Sequence, residues 1–183
     1  MLKVIIGSLL GLLLVWWFAQ SLGLTPQQAQ DQILLAELNE EAGLHYRAEN
    51  RLRGGVVELA DGLQVEILRM GEGAVPQAED WISVHYQGWH LDGRLFESTY
   101  RIDLPGNVPL SRTIPAWQRV LVELPVGTHL RMVAPPELAY GRSGAGHIGP
   151  SETLIFEIEL LAILEPPQSP VRDALQQAVP GLQ

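Results

Sequence analysis

The sequence contains no cysteine, and Lys3 is the single lysine among its twelve basic residues. The absence of cysteine excludes disulfide bonds, thiolate metal ligands, a cysteine nucleophile and lipid attachment through cysteine. Charged residues make up only 18% of the chain and hydrophobic residues 46%, which is typical of a globular protein. The net charge of −9 argues against nucleic-acid binding, because a binder needs a basic surface to neutralise phosphates.

The chain also lacks the residue patterns of metal-dependent and nucleophilic catalysis. Its histidines are scattered and no pair has the short helical spacing of a zinc site: His45, His85, His90, His129 and His147. The glycine-rich segment 141–146 lacks the Lys-Ser/Thr ending of a phosphate-binding loop and the strand-to-serine frame of a nucleophile elbow. We therefore expect a flexible hairpin there, and neither a metal site nor a cofactor.

A long uncharged run lies at the N-terminus, over residues 4–30. Its first twenty-one residues, 4–24, are mostly Val, Ile, Leu, Trp and Phe, and a helix of that length spans about 30 Å, the thickness of a bilayer core. Lys3 precedes the run and Asp31 is the first charge after it, which predicts a cytoplasmic N-terminus and an exported remainder. The run is either an uncleaved signal anchor, favoured by the Trp16-Trp17 pair, or a signal peptide cleaved after Ser21.

After this run, the spacing of apolar residues predicts a helix and then a domain of strands. Thr25-Pro26 is typical of a helix start and Gly54-Gly55 of a helix end, which predicts a linker helix within residues 25–55. The apolar residues of this helix are consistent with a spacer between membrane and domain, and also with a homodimer contact. The tail, residues 165–183, is rich in proline and polar residues and is expected to be loosely ordered.

Residues 56–164 carry the alternating pattern of half-buried strands. The clearest strand is the last, where every second residue is apolar and large: Leu154, Phe156, Ile158 and Leu160. Other strands are predicted at 56–59, 63–68, 82–86 and 129–133. Thr113 is predicted to cap one short helix, whose apolar face comprises Ile114, Trp117, Leu121 and Leu124. Antiparallel strands with one central helix define an α+β domain.

Three segments of this domain resemble the FKBP-type peptidyl-prolyl cis-trans isomerases in their order and spacing. They are VHYQGWHLDGRLFEST (84–99), TIPAWQRVLVELPVGT (113–128) and LAYGRSGAGHIGPSETLIFEIELL (138–161). The upstream segment ENRLRGGVVELADGLQVEILRMGEG (49–73) resembles the macrophage-infectivity-potentiator branch of bacteria. The resemblance implies a twisted antiparallel sheet, a half-barrel, that wraps around the short helix. Together with the N-terminal run, a bacterial branch predicts a location in the inner membrane facing the periplasm, or in the periplasm if the run is cleaved.

The activity implied by this resemblance is isomerisation of X-Pro bonds in exported or envelope proteins, which assists their folding. Rotation about such a bond crosses a barrier of ~18–20 kcal/mol, and no bond to a heavy atom is broken. A dry apolar pocket favours the twisted amide, which has lost its resonance charge separation, over the planar one. The implied partners are proline-containing polypeptides and macrolide inhibitors, without a cofactor.

The resemblance further implies a set of site residues. The catalytic residues would be Tyr86, Phe96, Glu97, Ile114, Trp117, Tyr140 and Phe156, and the substrate-binding residues Thr113, His147 and Ile148. Trp117 would form the floor beneath the proline ring, the backbone N–H of Ile114 would donate to a substrate carbonyl, and the Tyr140 hydroxyl would make a second polar contact. Ile148 would close the pocket from the tip of a flap. The alternative is that these are ordinary core residues of the half-barrel.

Two departures from the family pattern leave a second function open. Glu97 stands where the family usually has aspartate, and residues 107–110 lack the aromatic side chain often found before the helix. The alternative is a non-catalytic chaperone or binding module that holds unfolded chains with the same aromatic cradle. Retention of the other aromatic residues favours the enzyme.

Overall fold

The structure is a computed structural model, and it describes residues 25–166. The predicted membrane segment at residues 4–24 lies outside the described residues, as does the predicted tail beyond residue 166. From residue 25 to residue 166, no helix combines the length and the apolarity that crossing a membrane requires.

Two helices and seven strands make up the regular structure of residues 25–166, together with three short 3-10 helices. Helix α1 spans Pro26–Asn50 and helix α2 spans Pro115–Leu121. The strands are β1 (Val56–Glu58), β2 (Gln64–Arg69), β3 (Trp81–Trp89), β4 (Leu95–Ser98), β5 (Gly106–Pro109), β6 (His129–Ala134) and β7 (Leu154–Leu164). In this part of the chain they form one sheet in the order β1-β2-β6-β7-β3-β4, with β5 paired to β3. The predicted antiparallel sheet with a short helix is confirmed.

The described chain divides into two units. The first comprises residues 25–66, Gly88–Glu97 and Arg131–Phe156. The second comprises Ile67–Gln87, Ser98–Leu130 and residues 157–166. The buried apolar residues of the first unit include Leu63, Met132, Val133, Leu154, Ile155 and Phe156. Those of the second unit include Ile82, Val84, Leu110, Trp117, Leu121, Leu130, Ile158 and Leu160.

Helix α1 begins as the sequence predicts. The Thr25 hydroxyl accepts a hydrogen bond from the Gln28 N–H at 3.3 Å, and the Gln28 side chain accepts one from the Thr25 N–H at 2.9 Å. This reciprocal capping box satisfies two N–H groups that a helix start leaves unpaired, and Pro26 occupies the first helical position. The helix ends at Asn50, shortly before Gly55, which has a positive φ of 87°.

The C-terminal half of α1 packs against the rest of the first unit. The Asn39 side chain donates to the Pro150 carbonyl at 2.8 Å. Further along the helix, the Gln64 side chain donates to the Arg47 carbonyl at 2.7 Å and accepts from the buried Asn50 amide at 2.8 Å. Because these bonds reach loop and strand residues far away in sequence, this half of α1 is docked on the rest of the first unit.

Several large apolar side chains of α1 are exposed in the described structure. The exposed fractions are 43% for Ile33, 57% for Leu34 and 53% for Leu38. The buried residues of the helix are Ala29, Gly43 and Asn50. The packing of its C-terminal half therefore depends on a glycine and on polar side chains.

The first hairpin and the last strand match their predictions. Strands β1 and β2 pair antiparallel with Val57 opposite Val65, and Gly62 has the positive φ of 78° that its tight turn requires. In β7 the predicted apolar residues are buried, while Glu157 pairs with His129 at 2.8 Å. The alternation thus identifies the buried face of the strand, while Ile155 is buried on the opposite face as well.

The prediction that Thr113 caps the short helix is wrong. Ile114 is the N-cap of α2, with φ −63° and ψ 151°, and Pro115 sets the first helical position. The Thr113 hydroxyl donates backwards to the Leu110 carbonyl at 2.7 Å, so it is not available to the first turn. The helix also ends at Leu121, which leaves Leu124 outside it.

Candidate active site

Three aromatic rings of the first unit form a cluster: His90, Phe96 and Phe156. The Phe96 and Phe156 rings meet edge to face, with centroids 5.9 Å apart and an interplanar angle of 87°. The His90 ring meets Phe96 in the same way at 5.3 Å and 66°. Such pairs contribute about 0.5–1.5 kcal/mol each beyond the area that they bury. Phe156 is buried, whereas Phe96 is half-buried and so retains an accessible surface.

Gly88 on β3 makes room for the Phe96 ring. A Cβ built on Gly88 would collide with the far edge of that ring. The backbone of β3 therefore supports one side of the Phe96 ring directly, and any larger residue at position 88 would displace the ring.

Tyr140 lies in the loop that follows the 3-10 helix Pro136–Leu138, and its side chain is half-buried. Burial, followed by the nearby Glu97 carboxylate, raises the pKa of the Tyr140 hydroxyl above its usual value. The hydroxyl therefore stays protonated at neutral pH and can donate a hydrogen bond. Within residues 25–166 neither this hydroxyl nor the exposed Glu97 carboxylate has a hydrogen-bond partner, so Tyr140 retains a donor that a substrate could use.

The expected flap is an ordered turn. Ala145 and Ile148 exchange two backbone hydrogen bonds, of 3.0 and 2.9 Å, and Gly144 and Gly146 have positive φ values of 66° and 58°. Ile148 is 8% exposed, which places its side chain on the inner side of this turn. His147 is exposed beside it.

Two more expected site residues, Tyr86 and Trp117, meet in the second unit. Their rings contact edge to face, with centroids 4.9 Å apart and an interplanar angle of 82°. The Thr99 hydroxyl accepts from the Tyr86 N–H at 2.9 Å and donates to the Tyr86 carbonyl at 3.2 Å, which fixes the backbone of β3 at this ring. Trp117 is 5% exposed, and Tyr86 is half-buried.

The start of α2 carries the other polar group that was expected at the site, the backbone N–H of Ile114. The Gln118 side chain donates to the Thr113 carbonyl at 2.6 Å, and the Trp117 N–H donates to the Ile114 carbonyl at 3.0 Å. As the N-cap, Ile114 contributes its carbonyl to the helix, while its N–H lies outside the ladder of intrahelical hydrogen bonds. The roles of these residues towards a substrate stay predictions.

Sequence reasoning missed two residues of the first unit that surround Phe96, namely Gly88 and His90. His90 also bonds Glu152, which lies 62 residues further along the chain, and no local spacing links such a pair. The glycine after a run of strand residues is a weak signal of close approach by another group. Among residues 25–166, no group of three or more His, Asp or Glu side chains could hold a metal ion.

Comparison with known proteins identifies the family. The family model of the FKBP-type peptidyl-prolyl cis-trans isomerases matches residues 72–161. The chain is 42% identical over 123 residues to the FKBP-type 22 kDa peptidyl-prolyl cis-trans isomerase of Escherichia coli K12, covering 67% of this chain and 60% of that relative. It is 40% identical over 129 residues to the outer membrane protein MIP of Legionella longbeachae, covering 70% and 55% respectively.

Solved structures agree with these relatives. The crystal structure of FkpA from Escherichia coli matches with a TM-score of 0.73 and 30% identity, covering 81% of this chain and 71% of that one. A peptidyl-prolyl cis-trans isomerase from Pseudomonas syringae matches with a TM-score of 0.65 and 35% identity, covering 71% and 96%. The chain belongs to the FKBP-type peptidyl-prolyl cis-trans isomerase family, as its motifs predicted. The alignments span less than two thirds of either curated relative.

Proposed function

We propose that the chain catalyses cis-trans isomerisation of X-Pro bonds in polypeptides. The observation that carries this proposal is that, in a member of this family, a half-buried ring packs on a buried one twice: Phe96 on Phe156, and Tyr86 on Trp117. Each unit thus offers one half-buried aromatic ring to the pyrrolidine ring of proline, Phe96 in the first unit and Tyr86 in the second. Ile114 and Tyr140 supply N–H and O–H donors to the substrate backbone. Thr113, His147 and Ile148 border the bound chain.

Catalysis by such a site requires no proton transfer and no covalent intermediate. The planar amide owes its barrier of ~18–20 kcal/mol to resonance, which separates charge between oxygen and nitrogen. Twisting abolishes that separation, so an apolar surface that has displaced water disfavours the ground state relative to the transition state. A donor such as the Tyr140 hydroxyl holds the neighbouring carbonyl in place while the bond rotates.

The activity is tested with a protease-coupled assay on a tetrapeptide that contains one X-Pro bond. The full chain in a mild detergent is expected to accelerate isomerisation, and macrolide inhibitors of the family are expected to compete with the peptide. Trp117→Ala should abolish most of the acceleration. If the wild-type protein is folded but does not accelerate isomerisation of any proline peptide, the proposed enzymatic activity is wrong.

Tyr140→Phe is expected to lower the rate of isomerisation by up to about tenfold and to leave the fold intact. The substitution keeps the ring and removes one hydroxyl, whose hydrogen bond to substrate is worth about 0.5–1.5 kcal/mol. Tyr46→Phe removes a hydroxyl from helix α1 instead, and serves as the control. Equal rates for wild type and Tyr140→Phe would show that this hydroxyl has no role in catalysis.

The rate of isomerisation is expected to be nearly constant from about pH 6 to 8, where carboxylates are ionised. The raised pKa of Tyr140 keeps its hydroxyl protonated throughout this range, because burial and the Glu97 carboxylate both favour the neutral form. Glu97→Ala should lower the rate through the orientation of neighbouring side chains without adding a pH dependence. A bell-shaped profile for the wild type would indicate acid–base chemistry.

A non-catalytic chaperone or binding module is the second candidate, and the state of Glu97 favours it. This carboxylate is exposed and makes no hydrogen bond within residues 25–166, so it acts on its neighbours only through its charge beside Tyr140. The two functions can be distinguished with an unfolded client protein whose refolding is not limited by proline isomerisation. Its aggregation is measured with and without this chain. Suppression of its aggregation together with an inactive tetrapeptide assay would establish the chaperone.

The site acts outside the cytoplasm, tethered to the inner membrane by residues 4–24. Support comes from the uncharged run, the flanking Lys3 and the Trp16-Trp17 pair. Intact-mass measurement of the protein purified from a bacterial envelope is expected to give the uncleaved chain. A mature N-terminus at Leu22 would instead indicate a cleaved signal peptide and a periplasmic protein.

A further inference from the structure

The half-buried ring of Phe96 requires support on more than one side. Strand β4, which carries it, has only four residues. Within the first unit the ring rests on Gly88, meets Phe156 at one edge and meets His90 at 5.3 Å. Gly88 and Phe156 belong to longer strands, whereas His90 lies in the turn after β3. Of the three contacts of the Phe96 ring, the one with His90 therefore depends most on the orientation of a side chain.

A short hydrogen bond fixes the orientation of His90. Its Nδ1 lies 2.6 Å from the Glu152 carboxylate, and the two side chains are only 9% and 18% exposed. A carboxylate accepts, so Nδ1 carries the proton; the neutral Nδ1–H tautomer and the imidazolium both provide it. The His90 backbone is held as well, since its N–H donates to the Arg94 carbonyl at 2.9 Å and its carbonyl accepts from Gly93 at 3.0 Å.

His90 and Glu152 both line a cavity. It has a volume of about 190 Å³ and is lined by residues of α1, the β3–β4 turn and the segment before β7: Asn39, Ala42, His90, Leu91, Asp92, Arg94, Glu152 and Thr153. A single water needs only about 10–15 Å³ of such space, so the cavity has room for several waters or for a turned imidazole. Without the bond to Glu152, the His90 ring could rotate into the cavity and leave Phe96 without its second aromatic contact.

Glu152 is itself held at the base of the flap. The N–H of the preceding residue, Ser151, donates to the Gly141 carbonyl at 3.1 Å. Pro150, one residue earlier, accepts the hydrogen bond from Asn39 of α1 at 2.8 Å. The backbone that leads into Glu152 is thus anchored to the flap by Ser151 and to helix α1 by Pro150, which limits how far its carboxylate can move away from His90.

We infer that His90 and Glu152 are positioning residues that hold the Phe96 ring in place for the proline substrate. They act on the substrate only through Phe96, so the inference rests on the proposed isomerase activity. Loss of the bond releases His90 towards the cavity, loosens Phe96 and weakens binding of the substrate more than it slows the bound complex. The expected signature is a raised KM with a smaller change in kcat.

The test uses the full chain with para-fluorophenylalanine in place of phenylalanine. Only three phenylalanines exist, Phe18, Phe96 and Phe156, so the ¹⁹F spectrum has three resonances, assigned by single Phe→Leu variants. Glu152→Ala and His90→Leu are expected to move or broaden the Phe96 resonance and to lower kcat/KM by about three- to tenfold. Glu152→Gln keeps an acceptor for Nδ1–H and is expected to stay within about twofold of wild type.

An exposed histidine–glutamate pair on α1 provides the matched control. His45 and Glu49 lie 3.7 Å apart with 75% and 71% of their side chains exposed, and His45→Leu should change neither the spectrum nor the kinetics. A Phe96 resonance that is unchanged in folded Glu152→Ala overturns the inference, as does a Gln variant as impaired as the Ala variant. The spectrum decides the positioning role even if the wild type has no isomerase activity, which would count against the proposed function alone.

Discussion

Truncation of Phe156 to alanine is expected to lower the free energy of unfolding by about 3–5 kcal/mol, the cost of removing a buried aromatic ring from a core. Phe156 is 2% exposed and lies on β7, which has β6 and β3 as neighbours in the sheet. The truncation leaves a cavity under Phe96 and abolishes their edge-to-face contact. Urea denaturation of wild type and variant, followed by circular dichroism, measures the difference.

Two variants of the same strand serve as controls for this prediction. Phe156→Leu keeps most of the buried volume and is expected to cost clearly less than the alanine variant. Leu161→Ala removes a side chain that is 38% exposed, so its effect should stay below about 1 kcal/mol. A loss of less than about 1 kcal/mol for Phe156→Ala would show that the ring is not a core residue.

Strand β7 shows why part of this fold could be predicted from the sequence. In a strand the side-chain period is two, so a sheet with one buried face imposes an alternation that can be read directly. Leu154, Ile158 and Leu160 follow it, and each is fully buried. Turns whose backbone needs a positive φ can likewise be predicted from a glycine, such as Gly62.

Contacts made by polar residues and glycine could not be predicted in this way. The pattern of apolar residues on α1 identified a helix but not its packed face, because Ile33 and Leu34 are exposed while Asn50 is buried. The error over Thr113 has a related origin: a threonine before a proline satisfies the local rule for a cap, but its hydroxyl bonds the preceding turn. Hydrophobic periodicity does not record such hydrogen bonds.

In the candidate site, too, some residues could be predicted from the sequence and others could not. The aromatic residues were identified from segments whose order and spacing resemble a family, and the structure pairs Phe96 with Phe156 and Tyr86 with Trp117. The support behind Phe96 was not foreseen. It depends on a histidine and a glutamate that are distant in sequence, and only the folded chain brings their side chains together.

Gly43→Ala is the second substitution with a large expected effect, a loss of about 1–3 kcal/mol in the free energy of unfolding from overpacking. In an exposed helix the same change would add about 1 kcal/mol of stability, because glycine has the lower helix propensity. Gly43 is buried within α1, however, and an added Cβ would collide with Thr153 Oγ1 and lie 3.0 Å from Thr153 Cβ. Thr153 is 2% exposed and precedes β7 directly, so it has little room to yield.

Urea denaturation measures this effect, with Gly54→Ala as the control because nothing lies within 4 Å of a Cβ at that position. Combining Gly43→Ala with Thr153→Ala should recover part of the loss, since the second substitution removes the hydroxyl that the new methyl group meets. If Gly43→Ala is at least as stable as wild type, helix α1 does not pack against the segment before β7. Because Asn39 and Gly43 contact neighbouring parts of that segment, a destabilised Gly43→Ala with partial recovery would establish α1 as a structural part of the isomerase domain.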